Sequence, residues 1–364
     1  MSISDQRYFQ QKLLLWHRRH NKRHMPWKGE ADVYRIWLSE IILQQTRVAH
    51  GRQYYERFVA TFPTVHALAQ APLDAVYKLW EGLGYYSRCK NLHATARYIS
   101  QERGGVFPNT YEELLQLKGV GPYTAAAIAS FGFGLPYAVV DGNVYRVLSR
   151  FFGDATPTDS TAGKKRFATL AQQCISTRRP AAYNQAIMDF GATVCTPDQP
   201  LCGSCPLRTR CRAYAAGTQH LLPVKEKQVR QKNRWFVYYI IQQQGRFAVQ
   251  QRTGADVWQH LYEFPLQECT EAQWKQLLSK ARRQGLSAPP AMPGNYRSLG
   301  VTAPAVQKLS HQTIHAFAVL LQRSGRTAGK CQWLTPDELA QRPLPRILHR
   351  LFNKEVRQLF QQQF

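Results

Sequence analysis

Four cysteines fall within seventeen residues, at Cys195, Cys202, Cys205 and Cys211, with the spacing Cys-x6-Cys-x2-Cys-x5-Cys. That density brings four thiolates within reach of one centre, and such a set takes either an iron–sulfur cluster or a structural zinc. Four-thiolate zinc sites are usually assembled from two close pairs, and only Cys202 and Cys205 form one here, so the spacing favours a [4Fe–4S] cluster. The other cysteines, Cys89, Cys174, Cys269 and Cys331, are scattered as unpaired thiols usually are. A disulfide framework is the competing reading. A chain this long does not depend on such staples, and its first eleven residues carry no apolar signal segment.

Two carboxylates and one glycine turn are the next candidates. Glu40 is flanked by Ile36, Trp37, Ile41 and Leu43, so it could occupy a dry site where its pKa would rise. Periodicity alone favours the plainer alternative, a surface glutamate on an amphipathic helix. Asp141 ends the apolar run Val139-Val140 and precedes a helical pattern, which suits an N-cap. The same carboxylate could also face a cleft, with Asn143 steadying it through a hydrogen bond. In Leu117-Lys118-Gly119-Val120-Gly121-Pro122-Tyr123-Thr124, Gly119 and Gly121 permit a tight turn with positive φ. They also leave backbone amides bare at the start of the next helix, which forms a phosphate site blind to base sequence. A plain inter-helix turn is the competing reading. Pro122 at the helix start and the small residues Ala125 to Ala127 favour the DNA-binding helix–hairpin–helix pattern.

These residues must be positioned by helices over most of the first 217 residues. Apolar residues recur at helical spacing in 8–16, 34–43, 73–79, 111–117, 125–131 and 144–151, with breaks at Pro63, Pro72, Pro108 and Pro157. Thr110 followed by Glu113 fits a capping box. A polar, basic stretch over 218–232 reads as an interdomain connector. Beyond it, 235–242 and 246–251 are β-rich runs around a Gln-Gly turn, 313–321 is a third, and 337–341 and 347–360 read as helices. The organisation expected is therefore a mostly α-helical domain over 1–217, containing a hairpin at 110–131 and the cysteine loop at 195–211. A smaller α+β domain follows over 233–364.

The charge narrows the partner. There are 48 Lys+Arg against 23 Asp+Glu, a net of +25 over 364 residues. A field of that size points to a polyanion, nucleic acid being the commonest. No apolar run approaches the roughly eighteen residues of a membrane span, and no basic amphipathic helix of the membrane-surface type is evident. The expected setting is the reducing cell interior, cytoplasm or nucleoid. Between Arg208 and Arg234 eight Lys/Arg face one acid, Glu226, and Arg208, Arg210 and Arg212 interleave with Cys211. A salt-sensitive clamp on the DNA backbone is one reading of that density, and a solvated basic surface is the other.

Hairpin, Val140-Asp141-Gly142-Asn143 and four-cysteine loop, in that order, resemble the endonuclease III-like DNA glycosylases. Within that superfamily Pro26-Trp27, the segment from Trp37 to Thr46, Gly82-Leu83-Gly84-Tyr85-Tyr86-Ser87-Arg88 and Asn184-Gln185-Ala186-Ile187-Met188-Asp189 closely resemble the MutY-type adenine glycosylases. The likeness is dense over 10–212 and thin elsewhere. It implies base-excision repair: adenine mispaired with 8-oxoguanine, or more weakly with guanine, is flipped from duplex DNA and cut at its glycosidic bond, leaving an abasic site. Glu40 would protonate adenine N7, and Asp141 would stabilise the oxocarbenium-like sugar electrostatically or as a transient nucleophile. Tyr123 and Asn143 would support the reacting centre. Arg23, Trp27, Leu43 and Gln185 match the adenine pocket, and Gln45 and Tyr85 match side chains that enter the stack beside 8-oxoguanine.

Lyase-type relatives carry a lysine where Tyr123 stands, and tyrosine cannot form their Schiff base. A second lysine of some adenine glycosylases is replaced by Tyr145. Both departures imply a monofunctional enzyme, and a monomer suits one flipped base. An endonuclease III-type lyase on oxidised pyrimidines and a non-catalytic DNA-binding relative are the alternatives. The C-terminal segments 257–265 and Leu309-Ser310-His311 resemble the Nudix-like domain that recognises 8-oxoguanine, which makes Ser310 and His311 candidate contacts to the oxidised base. The metal-binding core of a Nudix hydrolase does not appear in the sequence, so no pyrophosphatase is expected.

Overall fold

The computed structural model describes residues 3–226, 231–288, 294–324 and 331–361. Two compact units divide the chain. One comprises 1–70 and 91–228, the other 71–90 and 229–364. The chain thus leaves the first unit for twenty residues before returning to it, and the beginning of the basic connector, up to 226, is built into that unit. There Val224 O accepts from Thr158 N at 3.0 Å and Leu222 O from Arg150 Nε at 3.0 Å. Residues 227–230 of the connector lie outside the described residues.

The helices run α1 (Ile3–His20), α2 (Val33–Leu43), α3 (Val48–Thr61), α4 (Val65–Gln70), α5 (Leu73–Trp80), α6 (Tyr86–Glu102), α7 (Tyr111–Gln116), α8 (Pro122–Phe133), α9 (Gly142–Phe152), α10 (Thr161–Cys174), α11 (Pro180–Thr193) and α12 (Arg212–Ala215). Every helical run read from periodicity lies on one of these. The core of the first unit gathers Phe9 and Leu13 of α1, Val144, Val147 and Phe151 of α9, and Tyr183, Ile187 and Phe190 of α11. Local chemistry fixes the helix ends. Pro122 opens α8 and Asp141 caps α9, while Gly134 and Gly153 close these helices in the left-handed region at φ 65° and 64°. Thr110 caps α7 by accepting from Glu113 N. The expected reciprocal bond is replaced by one between side chains, Thr110 Oγ1 donating to Glu113 Oε2 at 3.0 Å.

The second unit holds a mixed sheet ordered β3-β2-β1-β7-β5, with β4 also on β1, β6 on β7 and β8 on β2. Its strands are β1 (Lys232–Gln243), β2 (Arg246–Gln251), β3 (Tyr262–Glu263), β4 (Leu266–Cys269), β5 (Asn295–Val301), β6 (Ala305–Lys308), β7 (Gln312–Ser324) and β8 (Gln332–Leu334). The Gln-Gly turn between β1 and β2 puts Gln244 and Gly245 at φ 46° and 73°, the twist a two-residue hairpin prefers. β1 and β7 run parallel, Tyr238 opposite Ala318. Helix α13 (Glu271–Gln284) covers one face, where Trp274 Nε1 donates to Phe236 O at 3.1 Å. The helix expected over 337–341 is α14 (Pro336–Ala340). That expected over 347–360 is two helices, α15 (Arg346–Leu351) and α16 (Lys354–Gln361). The break has a local cause: Asn353 accepts from Val356 N at 3.0 Å and so starts a new helix. Among the described residues no helix is long and apolar enough to cross a membrane.

Candidate active site

A cavity of about 460 Å³ in the first unit is lined by Arg23, Trp27, Glu40, Leu43, Tyr123, Asp141, Asn143 and Gln185 together with Lys28 and Met188. Eight residues singled out from sequence, spread over 163 positions from Arg23 to Gln185, thus share one wall. Such a volume lies within the range of small-molecule binding sites.

Glu40 lies on α2, where Tyr34 and Ile36 to Ile42 are all buried. This helix is apolar all round rather than amphipathic, so the surface-glutamate reading does not hold: Glu40 is 7% exposed. Burial raises its pKa to about 7, a hydrogen bond from Tyr123 pulls it down, and the nearby Asp141 charge raises it again. Asp141 caps α9 through Val144 N at 2.8 Å and accepts from Asn143 Nδ2 at 2.7 Å. Burial pushes its pKa up, and these donors oppose the shift. Cap and cleft readings of Asp141 therefore both hold. Both donors favour its anion, while Glu40 is left the easier of the two to protonate. The two carboxyl groups thus share one cavity in different hydrogen-bonding surroundings.

Asn143 is itself held. Its Oδ1 accepts from Arg146 Nη2 at 2.8 Å, and the same guanidinium donates to Gly191 O at 2.6 Å and, through Nε, to Cys195 O at 2.7 Å. A Cβ at Gly191 would stand 2.6 Å from that of Asn143, so the close approach of α11 to Asn143 requires glycine there.

In the hairpin only Gly119 takes positive φ, at 81°, and a Cβ there would stand 2.8 Å from Cβ of Asn91. Gly121 is extended (φ −97°, ψ −179°) and acts as the N-cap of α8, with open space where its Cβ would be. The expectation of two positive-φ glycines is thus met at one of them. The amides that follow Gly121 have no side-chain cap and remain available to an anion. Gln44 ties α2 to this turn, donating to Gly119 O at 3.3 Å and Thr124 Oγ1 at 3.1 Å.

Gln45 and Tyr85 do not line the cavity. Both side chains are exposed, and both backbones sit in the left-handed region at φ 54° and 51°. Non-glycine residues pay for that conformation and keep it chiefly where function needs it. In the second unit the turn between β6 and β7 presents Ser310 and His311 to solvent, and Tyr85 OH hydrogen-bonds Ser310 Oγ. Sequence reasoning gave no role to Lys28, which lines the cavity, or to Asp189, which accepts from Gln185 behind its wall. The four-residue spacing of Gln185 and Asp189 on one helix face was the available signal for the latter.

The four cysteines line a loop of two short 3₁₀ turns, Cys202–Ser204 and Arg208–Arg210. Cys195, Cys202 and Cys211 lie close enough to Cys205 for their charges to raise its pKa; burial, the larger cause, pushes that thiol up to about 12. Arg150, 3% exposed, lies beside them with Nη1 3.5 Å from Cys195 Sγ. Among the described residues no three His, Cys, Asp or Glu side chains form a set that could hold a metal ion.

Comparison with known proteins agrees with this arrangement. Residues 38–172 match the HhH-GPD superfamily of base excision DNA repair proteins, and residues 236–354 match the NUDIX domain. An adenine DNA glycosylase of Buchnera aphidicola subsp. Schizaphis graminum is 34% identical over 259 residues, covering 71% of this chain and 74% of the relative. That of Mus musculus is 46% identical over 221 residues, 58% of this chain and 43% of the relative. Among solved structures, a thermostable thymine-DNA glycosylase superposes with a TM-score of 0.54 at 28% identity, covering 58% of this chain and 98% of that one. A non-covalent endonuclease III–DNA complex shares the fold at TM-score 0.51 and 22% identity, covering 60% and 99%. The chain therefore belongs to the adenine DNA glycosylases, DNA-binding enzymes of base-excision repair with a helix–hairpin–helix domain and a Nudix-like domain.

Proposed function

We propose that this glycosylase removes adenine from A:8-oxoguanine mispairs, and more weakly from A:G, in double-stranded DNA, with the flipped base in the cavity around Glu40. The observation that carries the reading is a carboxyl group with a pKa near 7 sharing one cavity with a second, hydrogen-bonded carboxylate. Adenine is a poor leaving group until N7 is protonated, and a buried Glu40 that keeps its proton near neutrality supplies it. The C1′–N9 bond then breaks, and Asp141, kept anionic by Val144 N and Asn143, stabilises the cationic sugar until water completes the hydrolysis. Tyr123, whose hydroxyl lies beside Glu40 and is held by Met188 Sδ at 3.5 Å, supports the acid. Having no amine, it leaves the abasic strand uncut.

The same reading gives Arg23, Trp27, Leu43 and Gln185 to the adenine, Gln45 and Tyr85 to the stack beside the opposite base, and Ser310 and His311 to 8-oxoguanine. The amides after Gly119 and Gly121 take phosphate. Cys195, Cys202, Cys205 and Cys211 would hold a [4Fe–4S] cluster, which fixes the Arg208–Arg212 loop for the DNA backbone. The enzyme works as a monomer on one flipped base.

Single-turnover cleavage of a labelled duplex with A opposite 8-oxoguanine, beside a C opposite 8-oxoguanine control, tests the reading. Breaks at adenine only after alkali are expected. Breaks without alkali would mean a lyase, and an absence of product would leave a DNA-binding scaffold. Purified protein should be yellow-brown, whereas a colourless protein with stoichiometric zinc would overturn the cluster.

A further inference from the structure

Behind the cavity wall lies a carboxylate for which the reaction above has no use. Asp189 of α11 has a side chain with 0% exposure. Its Oδ1 accepts from Arg23 Nη1 at 2.8 Å. Its Oδ2 accepts from Asn21 Nδ2 at 2.7 Å, Lys28 Nζ at 3.0 Å and Gln185 Nε2 at 3.0 Å. Burial alone would raise its pKa, but bonds from Asn21, Lys28 and Arg23 outweigh it and hold the group below the ordinary carboxylate range. An ionised carboxylate only accepts hydrogen bonds. The amide of Gln185 must therefore turn its NH₂ toward Asp189. Because the amide is planar, Oε1 is the arm left for the cavity that Gln185 lines.

The chemistry of the purine 6-position makes this orientation selective. Adenine carries an amine there, a donor, whereas guanine and hypoxanthine carry a carbonyl, an acceptor. All three keep N7, where Glu40 would act, so protonation at N7 cannot tell them apart. We infer that Asp189 is a positioning residue for substrate choice: by fixing the Gln185 amide it presents an acceptor to the base and so admits 6-aminopurines against 6-oxopurines. The inference rests on the proposed seat of the flipped base in this cavity. Two acceptors forced together in a dry site forfeit a hydrogen bond and repel, the kind of mismatch on which strong discrimination is built.

Asp189→Asn separates this role from simple bracing of the 21–32 loop. The new amide can donate to Gln185 Oε1, which releases Gln185 to turn its NH₂ into the cavity. Single-turnover excision would be measured on duplexes bearing adenine or hypoxanthine opposite 8-oxoguanine. The expected result is a fall in the adenine-to-hypoxanthine rate ratio of about 30-fold. Adding Gln185→Glu to that variant should restore it, since the carboxylate accepts from the amide introduced at position 189 and still offers an oxygen to the 6-amino group. Equal losses on both bases, with the ratio unchanged, would reduce Asp189 to a brace and overturn the inference. Should Asp189→Asn fail to fold, Gln185→Leu asks the same question with Asp189 intact: the ratio must fall, and a wild-type ratio would overturn the inference. Glu40→Gln serves as the reference. If it still excises adenine, the proposed reaction fails, an outcome distinct from failure of Asp189.

Discussion

Glu40 in the helical unit and Glu263 in the sheet unit are both almost wholly buried, at 7% and 3% exposure, and in both burial raises the pKa. Their partners differ. Glu40 lies beside the Tyr123 hydroxyl, which donates to Met188 Sδ at 3.5 Å, and near a second carboxylate, Asp141. Glu263 receives Arg252 Nη1 at 2.7 Å, and that guanidinium also binds Asp256 at 2.8 Å. Asp256 and Glu268 in turn share Arg234, whose side chain is 10% exposed. Both glutamates have a tyrosine hydroxyl beside them, Tyr123 and Tyr238, so the difference lies in the charged neighbour: an anion such as Asp141 favours the protonated carboxyl group. Given a guanidinium, the group becomes part of the scaffold. The two units thus place one residue type in two electrostatic settings, and the proposed chemistry belongs to the first.

The sharpest way to break this contrast is to neutralise each glutamate in turn. Glu40→Gln removes the proposed proton donor, and general acids typically contribute 10²–10⁴-fold. Excision of adenine should fall about 10³-fold while binding to the mispaired duplex persists. Glu263→Gln should leave the single-turnover rate within about threefold and instead lower stability by roughly 1–3 kcal/mol, since Arg252 keeps Asp256 but loses a buried partner. Single-turnover rates and urea unfolding on both variants decide it. A large rate loss at Glu263 with none at Glu40 would invert the assignment.

The next effect is on stability. Glu40 has a folded pKa of about 7 against an ordinary value of 4.5, so the folded protein holds this proton more tightly than the unfolded chain. Its contribution to stability is fully present below pH 4.5 and declines as pH rises to about 7. The loss is on the order of 3 kcal/mol when complete. Glu40→Gln carries no such proton. Relative to wild type it should gain stability progressively between pH 4.5 and 7 and keep the gain at pH 8. Unfolding free energies across that range check the slope, and parallel curves would mean that Glu40 is ionised in the folded state.

Much of this was legible in the sequence because the signals are local. Asp141 announced its cap by ending an apolar run before a helix, and Gly119-x-Gly121-Pro122 announced a hairpin. Glu40 shows where local reading stops. A glutamate among isoleucines has the same pattern whether its helix lies at a surface or in a core, and only the packing of α2 against α3 and α8 decides. Asp189 was hidden for a related reason: its donors Asn21, Arg23 and Lys28 come from more than 160 residues away in sequence. The division of the second unit was equally illegible, since nothing in the composition of 71–90 sets it apart from the helices around it.

The smallest expected effect sharpens the contrast from the other side, by asking what the sheet unit does if not chemistry. Tyr85, strained at φ 51°, hydrogen-bonds Ser310, and both belong to the second unit. Ser310 also offers its backbone carbonyl to Gln231 Nε2 at 3.3 Å, so the turn keeps its anchor when the hydroxyl is removed. Ser310→Ala should therefore delete one side-chain hydrogen bond, worth about 1 kcal/mol, with the turn left in place. If that hydroxyl serves recognition of 8-oxoguanine, the preference for A:8-oxoguanine over A:G should narrow about fivefold, with the rate on A:G unchanged. Competition between the two duplexes under single-turnover conditions measures it directly. Equal slowing on both would mean that Ser310 braces Tyr85 rather than reading the opposite base, since a displaced Tyr85 would disturb the stack whichever purine stood across from adenine.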